Sequence, residues 1–251
     1  MHILPVNNYY KKILQVALPA IAGLSTQMVV SLVDTAMVGR IEDATYALAA
    51  MGIGVLATWA LISFFSSLAT GIHVVVARKF GEGDYISCGI TLNNSLLLAA
   101  LIGAVVAMAG VFFSYPIAHL FATDETVGNY ASEYLYYRFM GIPFFLISVS
   151  FRGFFFVISK TKIFMFSGVI TNVLNIIFNY LFIYGNFGFP KMGLAGAGLG
   201  STLATAFDGF FYIAIIMLPS YRKRFQNLKH LVLNKNIISA IVKISLPVSF
   251  Q

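Results

Sequence analysis

The chain has 251 residues, of which 59% are hydrophobic and 10% are charged, and its formal net charge at pH 7 is +7. A soluble domain carries about 25% charged residues, so this composition excludes an ordinary soluble globular protein. The single cysteine, Cys88, excludes an internal disulfide framework and a multi-cysteine metal site.

Apolar runs of about 20 residues recur along the chain, which is typical of transmembrane helices and not of outer-membrane strands. Six full spans are predicted, at residues 12–38, 46–76, 86–113, 130–158, 162–184 and 192–218. A seventh apolar stretch begins near Ile237 and stops at Gln251, too short to cross a bilayer. The predicted fold is an all-α polytopic membrane protein: a six-helix transmembrane bundle plus the start of a seventh helix.

Lysine and arginine residues concentrate in alternate loops between the predicted spans. These loops and the N-terminal segment contain Lys11, Lys12, Arg78, Lys79, Lys160, Lys162, Arg222, Lys223, Arg224, Lys229 and Lys235. The opposite side carries Arg40 and Lys191 beside several acidic residues. The positive-inside rule therefore predicts that the N-terminus lies in the cytoplasm. The expected location is the plasma membrane, here the bacterial inner membrane. Because the basic residues are explained by membrane topology, no nucleic-acid partner is expected.

A short repeat links the two ends of the chain. The segments ILQVALPA, from Ile13, and IVKISLPV, from Ile241, both follow basic residues and both carry Leu-Pro at the same place. Chance similarity between two helix starts is one explanation; with six spans between them, two parallel transporter halves are the other. The predicted organisation is a six-helix lobe at 1–220, a basic cytoplasmic inter-lobe loop at 221–236 and a truncated second lobe at 237–251.

Three spans each carry a stripe of polar side chains on one helical face. The stripes are Gln27, Ser31 and Asp34 in the first span, Asn172, Asn175 and Asn179 in the fifth, and Ser201, Thr205 and Asp208 in the sixth. A carboxylate near a helix centre costs on the order of 3 kcal/mol on insertion scales, so such groups usually face a bundle interior or a cavity. A single stripe could be explained by hydrogen bonds between neighbouring helices. Three stripes with two carboxylates favour a hydrated cavity.

Depth along the helices separates two groups. A rise of ~1.5 Å per residue places Asp34, Asn179 and Ser201 in the outer half of the bundle, where a shared site is predicted. Asp208 is predicted to lie deeper, toward the cytoplasm. Arg152, near the inner end of the fourth span, is predicted to pair with Asp208, to reach the interface or to do both, and a structural use is favoured over a substrate contact.

Prolines and glycines inside the spans predict local geometry. Pro19, the proposed hinge, and Pro143 predict bends, because proline removes a backbone donor and clashes with the preceding turn. Gly196 and Gly200 form a GxxxG pattern, which predicts close helix packing. The sequence shows no nucleophile–base pair, metal cluster or cofactor fingerprint, so neither an enzyme nor a cofactor is expected.

Four blocks carry a resemblance to a known family: LPAIAGLSTQMVVSLVDTAMVGR, VARKFGEGDY, FRGFFFVISKTK and NVLNIIFNYLFIYGNFGFPKMGLAGAG. Over essentially its whole length the chain resembles the N-terminal half of a MATE transporter (multidrug and toxic compound extrusion), and the NorM-like branch is favoured. The resemblance implies twelve helices in two six-helix lobes. It also implies export of mostly cationic, amphipathic compounds in exchange for Na⁺ or H⁺.

The resemblance also implies roles for individual residues. The family's first-helix acid, which takes part in cation coupling, falls on Asp34, where Na⁺ could bind. The fifth-helix pair falls on Asn175 and Asn179, and the sixth-helix hydroxyl falls on Ser201, with Thr202 beside it. Members with Asp in place of Asn179 hold two carboxylates in this lobe. This chain has only one carboxylate near that depth, which argues against a mechanism that needs two protons in the lobe.

These observations lead to an interpretation and two alternatives. The interpretation is alternating access, in which Na⁺ or H⁺ neutralises Asp34 and the first helix bends near Pro19. The alternatives are a lipid-linked oligosaccharide flippase of the same superfamily, whose cavity should be rich in basic residues, and a non-transporting membrane scaffold or fragment. The expected partners are small cationic substrates, the lipid bilayer and the missing C-terminal lobe.

Overall fold

The computed structural model describes the backbone of residues 6–226 and 233–250. The side chains at 6–9, 11–13, 15–16, 19–20, 22–24 and 27 lie outside the described part. Apart from a 3₁₀ turn at Asn186–Gly188, all the regular structure in the described part is α-helical. The helices are α1 (Val6–Val38), α2 (Ala44–Gly81), α3 (Tyr85–Phe121), α4 (Glu125–Met140), α5 (Ile142–Val157), α6 (Thr161–Tyr184), α7 (Gly193–Ile216), α8 (Pro219–Phe225) and α9 (Lys235–Ser249).

The helices follow the predicted spans closely. Within the described residues, α2, α3, α6 and α7 are long and apolar enough to cross a membrane, and α4 with α5 gives a fifth span if counted together. Helix α1 covers the first predicted span, and its segment Met28–Val38 is apolar. The prediction of an all-α membrane bundle is confirmed.

The fourth predicted span is broken into two helices. Helices α4 and α5 meet at Gly141 and are bent by 45° relative to each other. The bend therefore lies two residues before Pro143, which occupies the first turn of α5, where its missing N–H is not needed. A Cβ atom on Gly141 would lie 2.8 Å from Thr202 Oγ1, so glycine lets this break approach α7 closely.

Helix α1 is continuous past the predicted hinge. Its backbone is helical from Val6 to Val38, including position 19. The side chain of Pro19 lies outside the described part, so the hinge remains a prediction.

Helices α6 and α7 form the most extensive contact in the bundle. A Cβ atom on Gly196 would lie 2.5 Å from the carbonyl oxygen of Phe182, and Gly200 packs directly against Asn179. The two backbones approach this closely because the GxxxG positions lack side chains, which confirms the packing predicted for them.

The remaining contacts leave one side of the bundle open. Helix α7 also packs against α4 and α5, and α2 packs against α4, α5 and α9. Helix α1 packs against α6 but makes few contacts with α2. A cavity therefore opens between α1 and α2.

Charged residues organise both ends of the bundle. At one end, Lys191 Nζ lies 2.9 Å from Glu42 Oε1 and joins the loop before α7 to the loop after α1. At the other end, Glu82 accepts hydrogen bonds from Lys79 at 2.9 Å and Arg78 at 3.2 Å. These two hydrogen bonds hold the pKa of Glu82 below its ordinary value.

Helix α9 packs along α2. It begins at Lys235, two residues before the predicted start, because the Asn234 side chain accepts hydrogen bonds from the backbone of its first turn. The Asn234 backbone nitrogen donates to Asn94 Oδ1 at 2.6 Å. At the other end of α9, Ser249 Oγ lies 2.6 Å from Ser67 Oγ. The described part of the last helix is thus held to the bundle at both ends.

Candidate functional site

A chain of hydrogen bonds joins α1, α6 and α7 in the part of the bundle where the sequence predicts a shared site. Asn179 Nδ2 donates to Asp34 Oδ1 at 2.7 Å and lies 3.3 Å from Asn175 Oδ1. Asn175 Nδ2 donates in turn to Ser201 Oγ at 3.0 Å. The structure therefore brings together all four residues of the predicted ion-coupling site, which we call the outer cluster.

Helix geometry explains this arrangement. Asn175 and Asn179 are one turn apart on the inner face of α6, and both are buried. The close approach of α6 and α7 at Gly200 sets Ser201 beside them. Within the described residues, Asn179 Oδ1 is buried and has no hydrogen-bond partner. The cluster thus contains a free oxygen acceptor next to a carboxylate.

Three further candidate residues, Thr205, Thr202 and Asn172, lie on the two helices that supply Ser201 and Asn175. Thr205 Oγ1 donates to the Ser201 carbonyl at 2.8 Å. Thr202 faces the other way and donates to the Tyr137 carbonyl of α4 at 2.6 Å. Asn172 Nδ2 is buried with no partner among the described residues. Helix α7 therefore bonds to two neighbours, to α6 through Ser201 and to α4 through Thr202.

The α1 stripe is described only in part. Ser31 is exposed and lines a large cavity, described below, one turn from Asp34. Gln27 lies outside the described side chains. Its predicted place on the cavity wall remains a prediction.

Arg138 is a residue of this region that the sequence reasoning missed. Its guanidinium lies within electrostatic reach of the Asp34 carboxylate, and its Nε is buried without a partner in the described part. It lines a small cavity of about 30 Å³ together with Thr202 and Thr205. Its position inside a predicted span was the available signal, because an ionisable residue there usually serves a site.

A second polar cluster, the inner cluster, lies around Asp208. Arg152 Nη2 donates to Asp208 Oδ2 at 3.0 Å, so the structure pairs these two residues. Ser167 and Thr171 of α6 both donate to Asp208 Oδ1. All four members are separate from the outer cluster, and Asp208 does not contact Asn175 or Asn179 through any bond described.

A large cavity lies between α1, α2 and α5, with one wall from α6. Its volume is about 1170 Å³. It is lined by Ser31 of α1, Trp59 and His73 of α2, Phe145 and Arg152 of α5, Phe164 of α6, and ten further residues. The space is large enough for a drug-sized molecule.

Ion binding here would rest on few charges. Within the described residues there is no group of three or more His, Cys, Asp or Glu side chains that could hold a metal ion. A cation at the outer cluster would have one carboxylate, Asp34, and neutral oxygens from amides and a hydroxyl. Hard cations prefer oxygen ligands of these kinds, so the donor set fits such an ion.

Comparisons with known proteins give the family. The MatE family model matches residues 19–181. A Bacillus licheniformis protein named probable multidrug resistance protein NorM is 31% identical over 204 residues, which cover 81% of this chain and 43% of that protein. A protein of the same name from Idiomarina loihiensis is 25% identical over 246 residues, covering 96% of this chain and 52% of its own.

Solved structures share the fold. A structure described as the outward-facing conformation of a multidrug resistance MATE family transporter is similar with a TM-score of 0.81 at 23% identity, over 96% of this chain and 52% of that chain. A MATE structure in complex with MaD3S gives a TM-score of 0.84 at 21% identity, over 96% and 53%. The chain spans about half the length of the curated relatives it matches. On the extent of the family match, the chain belongs to the MatE family of transporters.

Proposed function

We propose that this chain is part of a secondary active multidrug transporter, which exports cationic amphipathic compounds by antiport with Na⁺ or H⁺ through alternating access. The names of its relatives support multidrug efflux. Its coverage of about half of each relative supports a second lobe as its partner. Residues 1–220 would form one lobe, 221–236 the inter-lobe loop and 237–251 the start of the second lobe.

The outer cluster would couple the ion to transport. The observation that carries this proposal is the hydrogen bond from Asn179 Nδ2 to Asp34 Oδ1, which ties α1 to α6 at a single carboxylate. A proton would give Asp34 an O–H donor and make its oxygens weaker acceptors, and Na⁺ would recruit oxygen atoms in place of N–H groups. Either event would disrupt the present contact and favour rotation of the Asn179 amide, so that its unpartnered Oδ1 faces Asp34.

The membrane supplies the energy for this exchange. One charge moved across it is worth about 2.3 kcal/mol per 100 mV, which supports a gradient of about 50-fold. The bacterial inner membrane, with the N-terminus in the cytoplasm, is the proposed location. The concentration of basic residues in alternate loops supports this orientation.

The test is ion-driven export by the full-length protein with Asp34→Asn. We expect export driven by an imposed Na⁺ or H⁺ gradient to fall by at least about tenfold, because the coupling charge is gone. Asp43→Asn is the matched control, since this exposed carboxylate only accepts a hydrogen bond from Tyr130. Unchanged ion-driven export by the Asp34→Asn variant would remove Asp34 from the mechanism. Imposing the two gradients one at a time identifies the ion.

A further inference from the structure

The large cavity has an unusual charge for a site expected to take cations. Of the described residues that line it, none is an aspartate or a glutamate, and the basic ones are Arg152 and His73. The rest of its wall includes aromatic side chains from three helices. These are Trp59, Phe145, Phe156 and Phe164. The cavity thus combines an aromatic surface with a positive end.

The ion pair at this end is exposed unevenly. The Arg152 side chain is 23% exposed, whereas the Asp208 side chain is 1% exposed. Asp208 lies behind Arg152, where Ser167 and Thr171 also donate to it. A ligand in the cavity therefore meets the guanidinium and not the carboxylate.

The guanidinium keeps free donors. Its Nη2 donates to Asp208, and its Nε is buried beside Tyr212 without a hydrogen-bond partner in the described part, so a cavity ligand has the N–H groups of Nη1. Its Cζ lies 5.5 Å from the centre of the Phe164 ring, which holds the guanidinium against the cavity wall. Arginine presents five N–H groups in a planar fork that matches carboxylate, sulfonate and phosphate oxygens, so one pairing does not exhaust it.

We propose that Arg152 forms an anion subsite in this cavity, and that the cavity takes amphipathic aromatic compounds with an acidic group at one end. The acidic group binds the Arg152 guanidinium, and the aromatic body packs against Trp59 and Phe145. Zwitterions satisfy both this subsite and the cation requirement of the proposed export. The inference rests on the proposed function only in assuming that transported compounds bind in this cavity.

A purely structural role is the competing explanation. In that case Arg152 only neutralises Asp208, and its removal changes the stability of the bundle without distinguishing charged from uncharged ligands. Replacing Arg152 alone would also leave a buried carboxylate unpaired, which is strongly destabilising. The informative variant is therefore Arg152→Gln with Asp208→Asn, which removes both charges together.

The chain offers a built-in reporter of occupancy. Trp59 is its single tryptophan and lines the cavity, so tryptophan fluorescence reports this site. Two probes form a matched pair: anilinonaphthalene sulfonate, which is acidic, and phenylnaphthylamine, which has the same aromatic rings without the sulfonate. Both are titrated against the purified chain in detergent, and the dissociation constant is taken from energy transfer from Trp59.

We expect the double variant to bind the sulfonate at least about tenfold more weakly, about 1.4 kcal/mol, and the uncharged amine within about twofold of the parent chain. Asp208→Asn alone keeps the guanidinium and should bind the sulfonate at least as tightly as the parent. Equal effects on both probes, or none on either, would overturn the subsite.

The result is separable from the outcome of the export experiment. Binding is measured on the Arg152 and Asp208 variants and export on the Asp34→Asn variant, so each experiment has its own protein and its own readout. If Asp34 proves irrelevant to coupling, the Arg152 effect on binding stands. If the Arg152 effect is absent, ion-driven export of cationic compounds is untouched.

Discussion

Asn179 uses one nitrogen for two neighbours: its Nδ2 donates to Asp34 Oδ1 at 2.7 Å and lies 3.3 Å from Asn175 Oδ1. Its oxygen, by contrast, is buried and has no partner among the described residues. A buried acceptor without a donor is costly, and native structures contain few of them. The side chain is therefore committed to Asp34 on one side and ready to accept on the other.

Replacing Asn179 should weaken the α1–α6 contact. In Asn179→Leu, Asp34 loses its donor, and we expect the free energy of unfolding in detergent to fall by about 1.5–3 kcal/mol, the range for hydrogen bonds to charged groups. Asn172→Leu is the matched control on the same helix. Its Nδ2 already lacks a partner among the described residues, so an apolar side chain should be neutral or stabilising. Equal losses in both variants would contradict the assigned hydrogen bond.

The single cysteine should report unfolding of the bundle. Cys88 is fully buried at the start of α3, and its thiol lies 3.7 Å from the Val76 carbonyl. We expect a maleimide to label Cys88 only as the denaturing detergent unfolds the chain. Ser66→Cys, at an exposed position on the cavity wall, should be labelled at once in the folded protein. Rapid labelling of Cys88 without denaturant would show that this packing is wrong.

The glycine contact between α6 and α7 should tolerate no side chain. Gly196→Ala places a methyl group 2.5 Å from the Phe182 carbonyl oxygen, and we expect a loss of about 1–3 kcal/mol in unfolding free energy. Gly52→Ala in α2 is the control, because nothing lies within 4 Å of the added carbon. That variant should be neutral or gain up to about 1 kcal/mol from helix propensity. If Gly196→Ala changes the unfolding free energy no more than Gly52→Ala does, the close contact between α6 and α7 is wrong.

The position of α9 on α2 can be tested by a cross-link. Ser67 and Ser249 have side-chain oxygens 2.6 Å apart, so cysteines at both positions, in a Cys88→Ala background, should form a disulfide readily on mild oxidation. Ser66→Cys with Ser249→Cys is the control pair, since Ser66 is exposed on the cavity wall, on a different face of α2 from Ser67. Mass analysis after proteolysis distinguishes the two. Cross-linking of the control pair alone would place α9 on a different face of α2.

The sequence predicted the spans because apolar length is a property of consecutive residues. The fifth span ends at Tyr184 as expected, where Gly185 adopts a φ of 72° and stops the helix. Span three was predicted to end at residue 113, yet α3 continues to Phe121. Hydropathy detects the continuous apolar part of a helix, whereas α3 continues through the more polar Ser114, Tyr115 and His119.

The sites were less predictable because they depend on contacts between distant segments. Helical spacing and depth were enough to group Asp34 with Asn179 and Ser201. Helical spacing and depth did not show which residues Thr202 and Arg138 contact. The break between α4 and α5 at Gly141 changes the direction of the side chains on either side of it. The proline pattern predicted a bend at Pro143, and the structure has one two residues before it, at Gly141.

Helix α6 carries members of both polar clusters on one unbroken rod. Ser167, Thr171, Asn175 and Asn179 follow one another at four-residue intervals, so about 18 Å of helix joins the contact with Asp208 to the contact with Asp34. A helix of this length without a proline is expected to be stiff. If α6 moves as a rigid body, a displacement at its Asn179 end, where α1 is attached, also moves its Ser167 end, one turn from Phe164 on the wall of the large cavity.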